Sequence, residues 1–368
     1  MLDLSQNGYT YKEVKNRLIS NCKIKFEYDL LDKSEKKIGT LDNVECSISF
    51  ESEAEIKKSA NIIVNEREYK NIDFLNERIR PVFCLEMDQQ WIKWNQGIFL
   101  LSSPERVEKD GDIYRDIEAY DGLLVLKEDK VDNRYLIKAG SFYTEEIREL
   151  ILSSGITKIS IQESSLALSV DKEYEIGTSK LKIINDLLLS INYYSLFVDN
   201  NGFYTARKYT DPQKREYEFE YLTDKNSITT YGSSEVLDLF GVPNKFVRYV
   251  ENPESGYLIS TFINDKASNK LSTVSRGRNI TDIASVNDIA DQETLDEYVK
   301  RIANEKSQVF GGYRFSSLIM PHHTFLDCLR VRNDELGISE KVIETAWSMD
   351  LKVDALMQHT CKKVVELW

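Results

Sequence analysis

The stretch Val44-Glu45-Cys46-Ser47-Ile48-Ser49-Phe50 decides the fold class, because apolar and polar residues alternate along it without a break. Period two places Val44, Cys46, Ile48 and Phe50 on one face and Glu45, Ser47, Ser49 and Glu51 on the other, as in a strand with one face buried and one wet. Ile24, Phe26, Tyr28 and Leu30 repeat the pattern between Lys23, Lys25, Glu27 and Asp29, and Ala60, Ile62 and Val64 continue it. A longer apolar run extends from Arg80 to Leu101. Asp110-Gly111 then turns the chain back into Ile113-Tyr114 and Ile117-Glu118-Ala119-Tyr120, a hairpin signal. The first third predicts sheet.

The middle changes period. Thr144 is expected to cap a helix that carries Glu145 and Glu146 at its positive end, with Ile147, Leu150 and Ile151 as its stripe. A second helix is expected from Thr178, with Leu181, Ile184, Leu187, Leu188 and Ile191 on one face. It runs into Tyr194 to Val198, an Asn201-Gly202 turn and Phe203 to Ala206, a second hairpin. In the last third, Phe246–Val250 and Tyr257–Ser260 read as strands paired around a turn at 252–256. The polar stretch Asn264 to Asn279 reads as a mobile loop, and Asp291 as the cap of a helix over 291–308. From Cys328 to Trp368 the chain again reads as strands, with Met357, His359 and Cys361 on one phase.

Length and charge bound the function. The 368 residues suffice for two or three domains of ~100–200 residues, each able to bury a core. A net charge of −13 argues against a protein that grips nucleic-acid phosphates and against docking on an anionic membrane. No apolar run is long enough to span a bilayer, and the N-terminus lacks the basic and apolar regions of a signal peptide, so no membrane insertion is expected. Five scattered cysteines without CxxC pairing read as reduced thiols, three of them on the apolar phase of strands.

Catalytic signals are sparse. No phosphate loop, dinucleotide turn or nucleophile elbow is present. His322 and His323 would diverge on a strand and have no carboxylate at metal-ligand spacing; His359 reads as a surface or satisfied interior histidine. With Cys328 and Glu335 the two adjacent histidines form the one neighbourhood where a hydrolase could be sought. Trp91 and Trp94 could stack on sugars, but they also fit a packing pair in a strand-turn-strand unit, the preferred reading. Arg276-Gly277-Arg278 reads as a solvated loop tip. No catalytic residue, cofactor or metal is assigned.

Several segments, in order, resemble the hub proteins of phage tail baseplates and tail tips, including those of phage-tail-like bacteriocins. They are Lys23–Tyr28 with Val44–Phe50 and Glu55–Ile62; the strand end Tyr120-Asp121; the helix, strand and hairpin from Leu181 to Thr205; and Ser275–Arg278 followed by the helix from Asp291 and the Ile319–Leu329 segment. Asp327-Cys328 stands where a Gly-Asp pair is common in such proteins.

The resemblance implies a β-rich α+β fold: two tube-like β-barrel domains over 1–130 and 211–368, a small α/β domain over 131–210, and assembly as a ring. It implies a homotrimer that is pseudo-sixfold and joins a sixfold tail tube to a threefold spike or tip. Its partners would be tube or tube-initiator proteins, the spike or tip protein and the tape-measure protein, with DNA only in passage. Such a protein would assemble in the bacterial host cytoplasm, belong to the virion tail or bacteriocin particle, and be no enzyme. The short stretch after the last strand is expected to leave no room for a wall-degrading region. A DNA channel should not be lined with cations, so Glu27, Glu45 and Glu51 are expected on lumen-facing phases; the alternative is that they solvate an outer face. The competing function is a tail-associated cell-wall hydrolase or endopeptidase.

Overall fold

The computed structural model describes all residues except 67–71, 225–226, 238–239, 253–255, 287 and 309–310. Among the described residues, fourteen strands join in one sheet. Its first-third members include Ile24–Leu31, Glu45–Glu51, Lys58–Asn65, Arg78–Met87, Phe99–Lys109 and Asp112–Tyr120. Its last-third members include Gly312–Leu318, Cys328–Asn333, Ile338–Asp350 and Leu356–Lys363. The junction is direct: Ile338–Asp350 pairs antiparallel with Glu45–Glu51, from Ala346 opposite Glu51 to Asp350 opposite Ser47. One apolar core follows the whole sheet, from Ile48, Ile62 and Phe83 to Phe315, Trp347 and Met357.

The predicted alternation holds where it was strictest. Cys46, Ile48 and Phe50 are buried, as are Ala60, Ile62 and Val64. It slips in Ile24–Leu31, where the pairing with Lys37–Leu41 shifts register between Leu30 and Leu31, and Asp29 is buried as well as Leu31. Asp29 is held there by Arg80 at 2.6 Å and by an ion pair with Lys37. The Asp110-Gly111 hairpin forms as read, with φ of 53° and 81°. A second turn of the same hand joins Arg78–Met87 to Gln90–Asn95 through Asp88 and Gln89, at φ 43° and 66°. The sequence reading missed it because no glycine marks it.

The middle forms a unit of its own. The helices Tyr143–Ser153 and Lys180–Ser190 pack with the strands Phe197–Val198 and Tyr204–Ala206 around a separate core that includes Tyr143, Ile147, Leu187 and Tyr204. Thr144 does not cap the first helix. Phe142 holds the cap position without a side-chain bond, and Thr144 lies one residue inside, donating its hydroxyl to the Ser164 carbonyl. The second helix starts two residues later than read, capped by Ser179.

A third core lies under the helix Gln292–Ser307, which Asp291 caps by accepting the Thr294 N–H at 2.7 Å. It packs on a three-stranded sheet of Lys245–Asn252, Gly256–Ile263 and Thr281–Ser285. The turn read at 252–256 falls largely outside the described residues. The polar stretch 264–279 is not a plain loop: it contains a helix, Thr273–Arg276, and buries Asn264, Leu271 and Ser272. Arg276 is no free loop tip, because its guanidinium donates to the Val242 and Phe240 carbonyls at 3.0 and 3.3 Å. Among the described residues no helix is long and apolar enough to cross a membrane.

Candidate functional site

Two features concentrate polar groups. The first is the open face of the long sheet. Strand register sets side chains in rows across it: Glu118, Asn61, Ser47 and Asp350; then Tyr120, Ser59, Ser49, Ser348, Gln358 and Ser316; then Glu51, Ala346, Thr360 and Arg314. Asp116, Ile63 and Glu45 form a fourth row. In these rows five carboxylates face one guanidinium, and apart from Ala346 and Ile63 the remainder are hydroxyls and amides. Opposite residues of antiparallel strands share a face, so the rows follow directly from the pairing. Asn61 donates to Asp116 at 2.6 Å and Ser316 to Gln358 at 2.6 Å, which ties side chains along the face.

Glu45 and Glu51 are exposed on this face. Glu27 is not beside them. Four strands lie between Ile24–Leu31 and Glu45–Glu51 in the sheet order, and Glu27 is half-buried between Lys25 and Lys93 at 2.8 and 2.6 Å. Burial pushes its carboxyl up, but the two lysines outweigh that and hold it below the usual carboxylate range.

The second feature lies on the buried face. His323 Nδ1 and His359 Nδ1 sit 2.5 and 2.6 Å from the two oxygens of Glu344. Tyr221 Oη lies 2.6 Å from His323 Nε2, and Ser317 Oγ lies 2.8 Å from His359 Nε2. All five residues are buried, and Phe315 stacks on the His359 ring at 4.4 Å. An ionised carboxylate only accepts, so both Nδ1 atoms carry protons and the five groups close a hydrogen-bonded knot. The ligand-capable atoms of His323, Glu344 and His359 lie within 4.8 Å of one another, but a cation could enter only by displacing those two protons.

A bulge makes the knot. Along Ile338–Asp350 the register with Leu356–Lys363 shifts between Glu344 and Ala346, leaving Thr345 as the extra residue. Unbroken alternation would put Glu344 on the open face with Ala346 and Ser348; the bulge turns it inward, opposite Cys361. Burial pushes the Glu344 carboxyl up, and the two imidazoles more than reverse the shift, so it titrates below the ordinary carboxylate. Burial also lowers the His359 imidazole.

The neighbourhood proposed for a hydrolase does not come together. His323 turns to Glu344, whereas His322 packs edge-on against Phe219 at 4.9 Å and is fully buried. Cys328 is buried at the start of its strand, and Glu335 lies exposed in the turn beyond it. Asp327, which stands with Cys328 where a Gly-Asp pair is common in hub proteins, accepts the Thr324 N–H and hydroxyl, each at 2.7 Å. Trp94 packs against Phe83 in the core, and Lys25 lies over Trp91, which favours the packing reading of both tryptophans.

A tail protein of Neisseria meningitidis matches with a TM-score of 0.65 at 10% identity, covering 94% of this chain and 98% of that one. The chain has a phage-tail-protein fold. A 43 kDa prophage tail protein of Shewanella oneidensis matches at 0.63 and 10% identity over 91% and 98% of the two chains. A prophage tail protein of Listeria monocytogenes matches at 0.58 and 14% identity over 91% and 94%. The β-rich α+β class and the tail-protein resemblance read from the sequence are thus borne out as fold. No family model and no curated protein sequence matches this tail-fold chain.

Proposed function

We propose that this chain is a structural hub of a phage tail baseplate or tail tip, or of a phage-tail-like bacteriocin. In this reading three copies form a ring that joins a sixfold tube to a threefold spike or tip, with DNA passing along the open face of the long sheet. The observation that carries it is that face: a mainly polar surface, acidic in balance, that continues from the first-third strands to the last-third strands. DNA carries one charge per ~1.7 Å of axis, and wall charges act over a Debye length of ~8 Å, so a lysine-lined bore would hold what it should release. The full-length likeness to tail proteins supports the same reading at the level of fold.

The two tube-like parts, 1–130 and 211–368, would each line part of the ring, with 131–210 facing outward. The separate core of the middle unit, which also takes in Leu123 and Leu126, supports setting this part of the chain apart from the long sheet. Tube, spike and tape-measure proteins would be the partners, met during assembly in the host cytoplasm. No catalysis is assigned, since the densest cluster of titratable groups is closed to any substrate by burial.

Native mass spectrometry with the tube and spike proteins of the same particle tests the hub. A trimer bound to both is expected; a chain that stays monomeric with them overturns it. The channel is tested separately by reversing Glu45 and Glu51 to Lys in assembled particles. Particles should form normally and deliver DNA more slowly, and unchanged delivery would count against a lumenal face.

A further inference from the structure

Lys58 opens the strand Lys58–Asn65 on its buried phase, opposite Phe50. It is 3% exposed, and its Nζ lies 5.9 Å from the centre of the Trp347 ring, on which Phe50 stacks. An ammonium carries three protons to donate. Among the described residues, the hydrogen-bond acceptor of Lys58 Nζ is Asn200 Oδ1, in the turn of the second hairpin. Asn200 is 1% exposed, and its Nδ2 has no hydrogen-bond partner among the described residues. Asp121, also buried, accepts the backbone N–H groups of Lys58 and Leu123, each at 2.9 Å. Burial lowers the Lys58 amine to about 8 and raises the Asp121 carboxyl to about 6. An amine whose proton burial has loosened therefore touches a carboxamide whose leaving nitrogen has no hydrogen-bond partner among the described residues, in a water-excluded aromatic setting.

We propose that Lys58 and Asn200 become joined by an isopeptide bond. The Nζ lone pair attacks Asn200 Cγ; the Nζ–Cγ bond forms, the Cγ–Nδ2 bond breaks, and Nδ2 leaves as ammonia with the proton that Nζ gives up. Nothing is oxidised or reduced, and no co-reactant is required. Contact at hydrogen-bond range supplies the proximity that such a step needs. Asp121 acts as a positioning residue, because its carboxylate accepts the Lys58 backbone N–H and fixes the chain at the attacking side chain. The bond spans 142 residues of sequence and ties the long sheet to the hairpin of the middle unit. It does not depend on the hub reading.

Peptide mapping of the purified full chain by mass spectrometry tests it. The expected product is lighter than the sequence by one ammonia, with the tryptic peptides holding Lys58 and Asn200 recovered as one branched species. Ring closure at Asn201-Gly202 would lose ammonia too, so Asn201→Ala serves as control and should keep the branched species. Lys58→Met and Asn200→Ala should each restore the sequence mass. If neither variant folds, the wild-type map decides alone. Recovery of both segments as linear peptides overturns the proposal, as does an ammonia loss that vanishes only in Asn201→Ala. For Asp121, the cross-link should fail in Asp121→Asn that circular dichroism shows folded, and return in Asp121→Glu. Full cross-linking in Asp121→Asn would remove that residue from the scheme.

Discussion

At its first-third end the long sheet buries Ile48, Ile62 and Ile117, side chains that need no partner beyond other hydrocarbon. At its last-third end the same face buries Glu344, His323, His359, Tyr221 and Ser317, which stay there only because each satisfies another. The two ends share one sheet and one continuous core, so the difference is chemical rather than architectural. A hydrocarbon core loses stability in proportion to what is removed. A closed polar network fails abruptly when its central acceptor is deleted, since that strands both imidazoles in a medium that cannot solvate them.

The largest effect is therefore expected from Glu344→Ala, which leaves two imidazoles without their acceptor. Urea titration should show a loss of about 3–5 kcal/mol. Ile62→Val at the other end should cost only about 0.5–1.5 kcal/mol. Replacing the whole trio, as Glu344→Leu with His323→Leu and His359→Phe, should recover much of the loss. A triple variant as unstable as Glu344→Ala would mean that packing, not the stranded groups, sets the cost.

Acid should separate the two ends next, because all three histidines lie in the last third. Burial lowers His322 and His359, so near pH ~6.5 the unfolded chain takes up protons that the folded chain refuses. Their contribution is complete above that range and drains away as the pH falls through it. Glu344, also lowered, adds a loss of the same sign below about 4.3. The urea midpoint should drop between about pH 7 and 5. His322→Phe, which replaces a ring already packed on Phe219, should make that drop shallower; an unchanged slope would remove His322 from the account.

Smaller changes follow at the rim of the knot. Tyr221→Phe and Ser317→Ala each delete one hydroxyl and should cost about 1 kcal/mol by the same titration. On the open face, Glu51→Lys should move stability by less than about 0.5 kcal/mol. A larger change there would mean that the open face carries structure as well as charge.

The chain reveals its regular parts. Period two in Val44–Phe50, the Asp110-Gly111 and Asn201-Gly202 turns, and the Asp291 cap are local patterns, and the structure places all of them as read. The Asp88-Gln89 turn was hidden because its residues reach positive φ without a glycine. The knot was hidden for a different reason. Its members come from separate strands and a loop, and its acid sits on the phase that alternation assigns to solvent.

Sequence by itself determined that the first third is rich in strands, which phase of Val44–Phe50 and Ala60–Val64 is buried, and where the Asp110-Gly111 and Asn201-Gly202 turns fall. Only the tertiary structure decided that the first and last thirds share one sheet, that Glu27 stands apart from Glu45 and Glu51, and that Lys58 meets Asn200. The physical reason is range. Alternation and turn preference act over a few residues, whereas a register shift at Thr345 or a contact across 142 residues is fixed by which strands pair.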